Sequence, residues 1–156
     1  MRIRQAGHDD REAIWRIHTA AVRVLCAGWY SGEQIGVWTE RLAPASYHQA
    51  LERCEIVVAE RDGELVGFGQ IDLMRAEIEA VYVVPAAVRS GVGSALLTHL
   101  EAVARDHGLQ RLALCASLNA ETFYARRGYR ARGRENRPLT TAMAVDCIRM
   151  DKVLAA

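Results

Sequence analysis

The densest chemical signal in the chain is a short loop, Arg89-Ser90-Gly91-Val92-Gly93-Ser94. It follows the β-branched and aromatic run Val81-Tyr82-Val83-Val84, which stops at Pro85. From Val92 onward, Val92, Leu96, Leu97, Leu100 and Val103 recur at helical spacing. A strand that hands over to a helix through glycines leaves several backbone N–H groups unpaired at the helix start, with the positive end of the helix dipole behind them. Such a place binds anions, most simply a phosphate, and glycine at 91 and 93 would let the phosphate reach the main chain. A tight connection that binds nothing is the plain alternative on spacing alone. Two familiar phosphate motifs fail here: the third glycine of a dinucleotide fingerprint falls on Leu96, and no Gly-Lys-Ser/Thr triplet occurs. Two carboxylates stand on the run before the loop. Glu77 and Glu79 are spaced by two and share one face of a strand, where either can take a proton directly or through water, or merely decorate a sheet edge.

The elements that must hold these residues can be read in order. Met1 to Gln5 alternates as a short strand, and Asp9, with Glu12 three residues on, outlines a capping box for a helix carrying Ala13, Ile14, Ile17, Ala20, Ala21 and Leu25 on one face and ending near Gly28. Ser31 and Gln34 outline a second capping box, Pro44 closes that helix, and Ser46 to Arg53 adds a further helical stretch. Trp29, Tyr30 and Trp38 either pack between helices or line a pocket. Glu55 to Arg61 and Glu64 to Met74 form a hairpin through Asp62-Gly63, with Gly67 and Gly69 marking close packing or a bulge. Ala76 to Val84 pairs next. The helix after the loop stops at Gly108, Arg111 to Ala116 is another strand, and a short helix from Ser117 ends at Gly128. Tyr129 to Gly133 and Ala142 to Lys152 read as a last pair of strands around a polar loop, Arg134 to Thr141. Strand, helix, strand from Ala80 to Ala116 is by default a right-handed parallel unit.

A chain of 156 residues, half of them hydrophobic (51%) and a quarter charged (25%), is expected to form one globular domain over 1–156. With 20 basic and 19 acidic residues, nothing in the charge favours nucleic acid or an anionic membrane. No run approaches the roughly 20 apolar residues that span a bilayer, and Met1-Arg2-Ile3-Arg4 leads straight into polar sequence, so neither a membrane anchor nor a signal peptide is expected. Cys26, Cys54, Cys115 and Cys147 are scattered without metal-ligand spacing, so no metal is expected and free thiols in a reducing cytoplasm are the simpler reading.

Val81-Tyr82-Val83-Val84-Pro85 with Gly91-Val92-Gly93 resembles the pyrophosphate loop of the GCN5-related N-acetyltransferases, the GNAT superfamily, whose pattern is Arg/Gln-x-x-Gly-x-Gly/Ala after a strand of the type Leu-Tyr-Val-x-Pro. One departure is visible: the Arg/Gln position is Val88, and the basic residue stands one place later, at Arg89. A second stretch, from Ala116 to Tyr129, resembles the segment Ser-x-Asn-Ala-x-x-Phe-Tyr-x-x-x-Gly-Phe/Tyr of the same superfamily. The likeness covers nearly the whole chain, Arg2 to Leu154.

That resemblance implies an α/β (α+β) fold: a mixed, mostly antiparallel central sheet with a parallel pair splayed around the cofactor, flanked by helices. It also implies acetyl-CoA as cosubstrate and transfer of the acetyl group to the amine of a small molecule or peptide, with a tendency of such domains to pair as homodimers. Transfer needs a neutral amine, a polarised carbonyl and a proton for the departing thiolate. By resemblance Tyr124 supplies that proton, and a main-chain N–H among Val81, Tyr82 and Val83, with Val83 favoured, polarises the carbonyl. Arg89, Ser90, Gly91, Val92, Gly93 and Ser94 would surround the pyrophosphate, and Asn119 would contact the pantetheine arm unless it only caps the short helix. Glu79 or Glu77 would serve as the base, since the glutamate that some relatives carry on the following strand is Leu114 here. Cys115 is expected to be a buried thiol and not a nucleophile. The rival expectation is a non-catalytic CoA or acetyl-CoA sensor on the same fold.

Overall fold

The structure is a computed structural model and describes residues 1–155. Seven strands form one sheet: β1 (Arg2–Gln5), β2 (Glu55–Arg61), β3 (Glu64–Asp72), β4 (Glu77–Val83), β5 (Arg111–Ser117), β6 (Arg130–Pro138) and β7 (Ala144–Val153). Their order is β1-β2-β3-β4-β5-β7-β6, and among the described residues only the β4–β5 strand pair is parallel. Among the described residues five α-helices flank it: α1 (Arg11–Leu25), α2 (Gly32–Glu40), α3 (His48–Arg53), α4 (Val92–Asp106) and α5 (Glu121–Ala125). This is the mixed sheet expected from the sequence.

Local chemistry explains most boundaries. Asp62 and Gly63 both take left-handed φ angles, 54° and 80°, as a two-residue hairpin between right-twisted strands demands. Ser31 accepts the Gln34 N–H while the Gln34 side chain accepts the Ser31 N–H, so α2 starts on the capping box seen in the sequence. Ahead of α1 the outcome differs. Asp10, not Asp9, precedes the helix, and its carboxylate accepts from the Gly7 N–H and pairs with Arg4 at 2.9 Å.

The faces of the sheet divide the core. Val92, Leu96, Leu97 and Leu100 of α4 pack on one side with Ile71, Ile78, Leu112 and Leu114. On the other side Ile14 and Ile17 of α1 meet Tyr47, Val58 and Phe68. The glycines of β3 allow α4 its close approach: a Cβ on Gly67 would lie 3.0 Å from Leu96, Val92 and the Tyr82 carbonyl oxygen, and one on Gly69 would lie 2.9 Å from Leu100.

Two further expectations are corrected. The polar stretch after Gly133 continues β6 as far as Pro138, every residue of it exposed, because an outermost strand can pair on one edge while its charged side chains face water. Cys115 and Cys147 are joined by a disulfide and are not free. Pairing of β5 with β7 sets Cys115 opposite Arg149 and Ser117 opposite Cys147, so the two cysteines are diagonal neighbours with Cα atoms 5.7 Å apart, a proximity that their separation of 32 residues conceals. Cys26 and Cys54 are free and buried. Among the described residues no helix is long and apolar enough to cross a membrane.

Because its β-carbon would meet a backbone oxygen as well as two side chains, Gly67→Val is expected to cost about 1–3 kcal/mol of stability, read as a lower urea midpoint at unchanged slope.

Candidate functional site

β4 and β5 are paired at only two positions, Glu77 with Ala113 and Ile78 with Leu114. Beyond them the strands part. A β-bulge begins the parting: Gln70 of β3 faces Ala80 and Ile71 faces Ile78, so Glu79 is an extra residue that bends and twists β4. The Val84 N–H donates to the Val66 carbonyl, and the period of two then turns the Tyr82 N–H toward β3 and those of Val81 and Val83 into the gap. Of these three amides Tyr82's is therefore used within the sheet, while the residue also lines the large cleft.

On one side the gap opens into a cleft of about 680 Å³ that reaches the start of α4. Gly91 holds φ at 89° as the residue before the helix and Arg89 holds 61°, so the chain folds sharply enough to leave the first-turn amides facing the cleft. A side chain at Gly91 would meet open space, whereas one at Gly93 would come 3.1 Å from the Phe123 ring. Gly91 thus serves the turn, and Gly93 serves contact with α5. Arg89, Gly91, Gly93 and Ser94 line the cleft together with Val81, Tyr82, Val83, Asn119 and Tyr124. Val92 sends its side chain into the core, and the Ser90 hydroxyl donates to the Ala87 carbonyl and accepts from Arg61 at 3.2 Å, so these two bring main chain to the loop and no side chain to the cleft.

Arg127 carries no distinguishing signal in the sequence. Its guanidinium lies 4.0 Å from the centre of the Phe123 ring and donates to the Ser94 hydroxyl, in the first turn of α4. The first turn of α4 carries no acidic residue. A cation is unfavourable at the positive end of a helix dipole unless an anion joins it there, and an Arg-Arg run beside a glycine reads in sequence only as solvated surface.

The far wall comes from β5 and the short helices after it. The Tyr30 hydroxyl donates to the Asp146 carbonyl at 2.6 Å and accepts the Leu118 N–H at 2.9 Å, tying this segment to β7. Asn119 accepts from the Cys26 thiol at 3.4 Å and makes no capping bond, which leaves its amide nitrogen for the cleft. Burial pushes the Cys26 thiol up to about 11, so it remains a neutral donor. The Tyr124 hydroxyl has no hydrogen-bond partner among the described residues, and burial raises its pKa, keeping the phenol protonated. Trp29, 58% exposed, lines this same cleft, while Tyr30 and Trp38 pack edge to face at 5.5 Å.

On the other side of the gap is a smaller cavity of about 290 Å³, walled by His18, Tyr47, Phe68, Glu79, Cys115 and Arg137 among others. A passage of about 40 Å³ shares Val81, Tyr82 and Tyr124 with the large cleft and Glu79, Ala80 and Cys115 with the small cavity. The glutamates thus part company. Glu79 reaches both passage and cavity and is held by Gln70 at 2.7 Å. Glu77 is buried in an ion pair with Arg149 at 2.9 Å and lines none of these spaces. The aromatic wall on the Glu79 side is His18, Tyr47 and Phe68, drawn from three distant segments, and not the tryptophan cluster.

Comparison with known proteins bears on this arrangement. The family model for the acetyltransferase (GNAT) domain matches residues 26–146. A GCN5-related N-acetyltransferase from Rhodopseudomonas palustris is 30% identical, with 98% of this chain and 95% of that one covered at a TM-score of 0.91. A ribosomal-protein-alanine N-acetyltransferase from Brucella melitensis is 26% identical, with 99% and 100% covered and a TM-score of 0.74. The PaiA N-acetyltransferase from Thermoplasma acidophilum, solved in complex with coenzyme A, shares the fold at 20% identity, 97% and 98% coverage and a TM-score of 0.81. A search of curated proteins finds no match.

His18 shares a hydrogen bond with the Tyr47 hydroxyl at 2.9 Å and lies 4.3 Å from the Tyr82 ring, and burial depresses its pKa to about 4. The unfolded chain therefore binds this proton first, and the associated stability is complete above about pH 6.5 and declines as pH falls toward 4. Urea unfolding at pH 7 and pH 4.5 is expected to show a loss about 2 kcal/mol smaller in His18→Gln than in the unaltered protein.

Proposed function

The chain belongs to the GNAT acetyltransferase family, and from that premise we propose that it transfers the acetyl group of acetyl-CoA to a primary amine by direct attack. The start of α4 supports this reading above all: its amides face the large cleft, its first turn has no acid, and Arg127 and Arg89 stand beside it, an arrangement that suits a diphosphate. The coenzyme A bound by the related PaiA protein agrees with that choice of anion.

Acetyl-CoA supplies an activated acyl group on a thiol of pKa near 8.5, which leaves readily. The residues of the chain divide the remaining work. Main-chain N–H groups at Val92, Gly93 and Ser94, with the guanidinium of Arg127 and the flanking turn at Arg89, Ser90 and Gly91, hold the diphosphate. Asn119 and Val81 guide the arm along the gap. The Val83 N–H donates to the carbonyl oxygen as it gains negative charge, its direction fixed by the ladder to β3. Tyr124 gives its phenolic proton to the departing sulfur, and the same burial that raises the phenol also disfavours a bare thiolate, which keeps the two matched. Glu79, held by Gln70, takes the proton the amine must lose. Glu77 is given no part in this scheme, its carboxylate being paired with Arg149. Cys115, in a disulfide, offers no thiolate for a covalent route.

Calorimetry is expected to show acetyl-CoA binding, with Tyr124→Phe keeping the affinity within about threefold while lowering kcat by roughly 10²-fold. No binding at millimolar concentration, or an unchanged kcat, would refute the scheme. Glu79→Gln is expected to lower kcat/KM at neutral pH by about 10²-fold, with the deficit shrinking as pH rises and the amine sheds its own proton, whereas Glu77→Gln should lower stability more than turnover.

A further inference from the structure

On the acetyl-transfer reading, we propose that the acceptor is a compact molecule that carries a carboxylate as well as its amine, seated in the smaller cavity with the amine at Glu79 and the carboxylate at Arg137. Size sets the first limit. A cavity of about 290 Å³ holds roughly ten waters at the ~30 Å³ each occupies in the liquid, so a ligand of about that many non-hydrogen atoms fills it.

Charge sets the second. Two neighbouring arginines on this side of the sheet are committed: Arg132 to Asp151 at 2.9 Å and Arg149 to Glu77 at 2.9 Å. Arg137, further along β6, lines the cavity and has no carboxylate within ion-pair distance among the described residues. A guanidinium in that setting is a ready partner for a carboxylate, which it can bind through two parallel hydrogen bonds.

Opposite in charge, Glu79 lines the same cavity and extends into the passage, the place where an amine must sit to reach the other side. His18, between them in character, is neutral at physiological pH and so does not repel an ammonium group. Tyr47 and Phe68 supply apolar wall for a modest side chain. A polyamine would bring a second cation against Arg137. A peptide amino terminus would bring a neutral amide in place of the carboxylate, and more bulk than the cavity accepts.

The test is CoA release from acetyl-CoA with a panel of free L-amino acids, the matching amino-acid carboxamides and amino-terminal tetrapeptides. We expect at least one free amino acid to be acetylated with kcat/KM tenfold or more above its carboxamide. Arg137→Gln should bring that ratio close to one, Arg137→Lys should retain part of it, and neither should change the KM for acetyl-CoA. If carboxamides or peptides equal or exceed the free acids, if Arg137→Gln leaves the ratio intact, or if the protein binds acetyl-CoA but acetylates no free amino acid, the acceptor inference is overturned and acetyl transfer is left standing. A protein that fails to bind acetyl-CoA overturns the reading beneath it instead.

Discussion

The site depends on two adjacent strands ceasing to pair. β4 and β5 hold together for two residues and then diverge, and the divergence has causes on both sides. On the β4 side the extra residue at Glu79 adds twist and carries the strand away with β3, to which it stays bonded as far as Val84. On the β5 side, seven paired positions with β7 and the two hydrogen bonds of the Tyr30 hydroxyl keep the strand end and the following turn where they are. Unpaired strand edges are ordinarily costly inside a protein, because buried N–H and C=O groups want partners. Here the unpaired amides of Val81 and Val83 face a cleft and are available to a ligand.

That opening explains why so many unrelated features converge on it. The strand that diverges also delivers the chain to the glycine turn, so the amides of the gap and those of the helix start lie along one cleft. The glycines of β3 let α4 settle close on the sheet, which brings its first turn level with the end of β4. The bulge that parts the strands also places the Glu79 carboxylate at the passage, with Gln70, its neighbour at the bulge, holding it. One irregularity of register thus creates the gap, directs the amides and positions a carboxylate.

Legibility from sequence follows the range of the interactions. Features set by a few neighbouring residues could be read directly: the Asp62-Gly63 hairpin, the Ser31/Gln34 box, the helix stripe after Gly91 and the stop at Gly108. Features set by pairing between distant strands could not. Alternation alone puts Glu77 and Glu79 on an equal footing and cannot register an inserted residue, so the difference between a carboxylate held by Arg149 and one at the passage emerges only with the β3 ladder. The Cys115–Cys147 disulfide, the charged extension of β6 and the wall of His18, Tyr47 and Phe68 have the same origin. Arg127 was hidden differently: its meaning lies in the helix end it touches, not in its own neighbours.

The two sides of the gap consequently differ in how tightly sequence constrains them. The start of α4 offers the large cleft main-chain amides, which every residue but proline can supply. That is why Val88 can stand at the superfamily's Arg/Gln position, with the base moved to Arg89, while the turn keeps its form. The small cavity is lined by side chains from α1, β3, β4, β5 and β6 and from the turn ahead of α3. Likeness of fold therefore reports on the shared framework, and only the side chains that line each space report on what that space can hold.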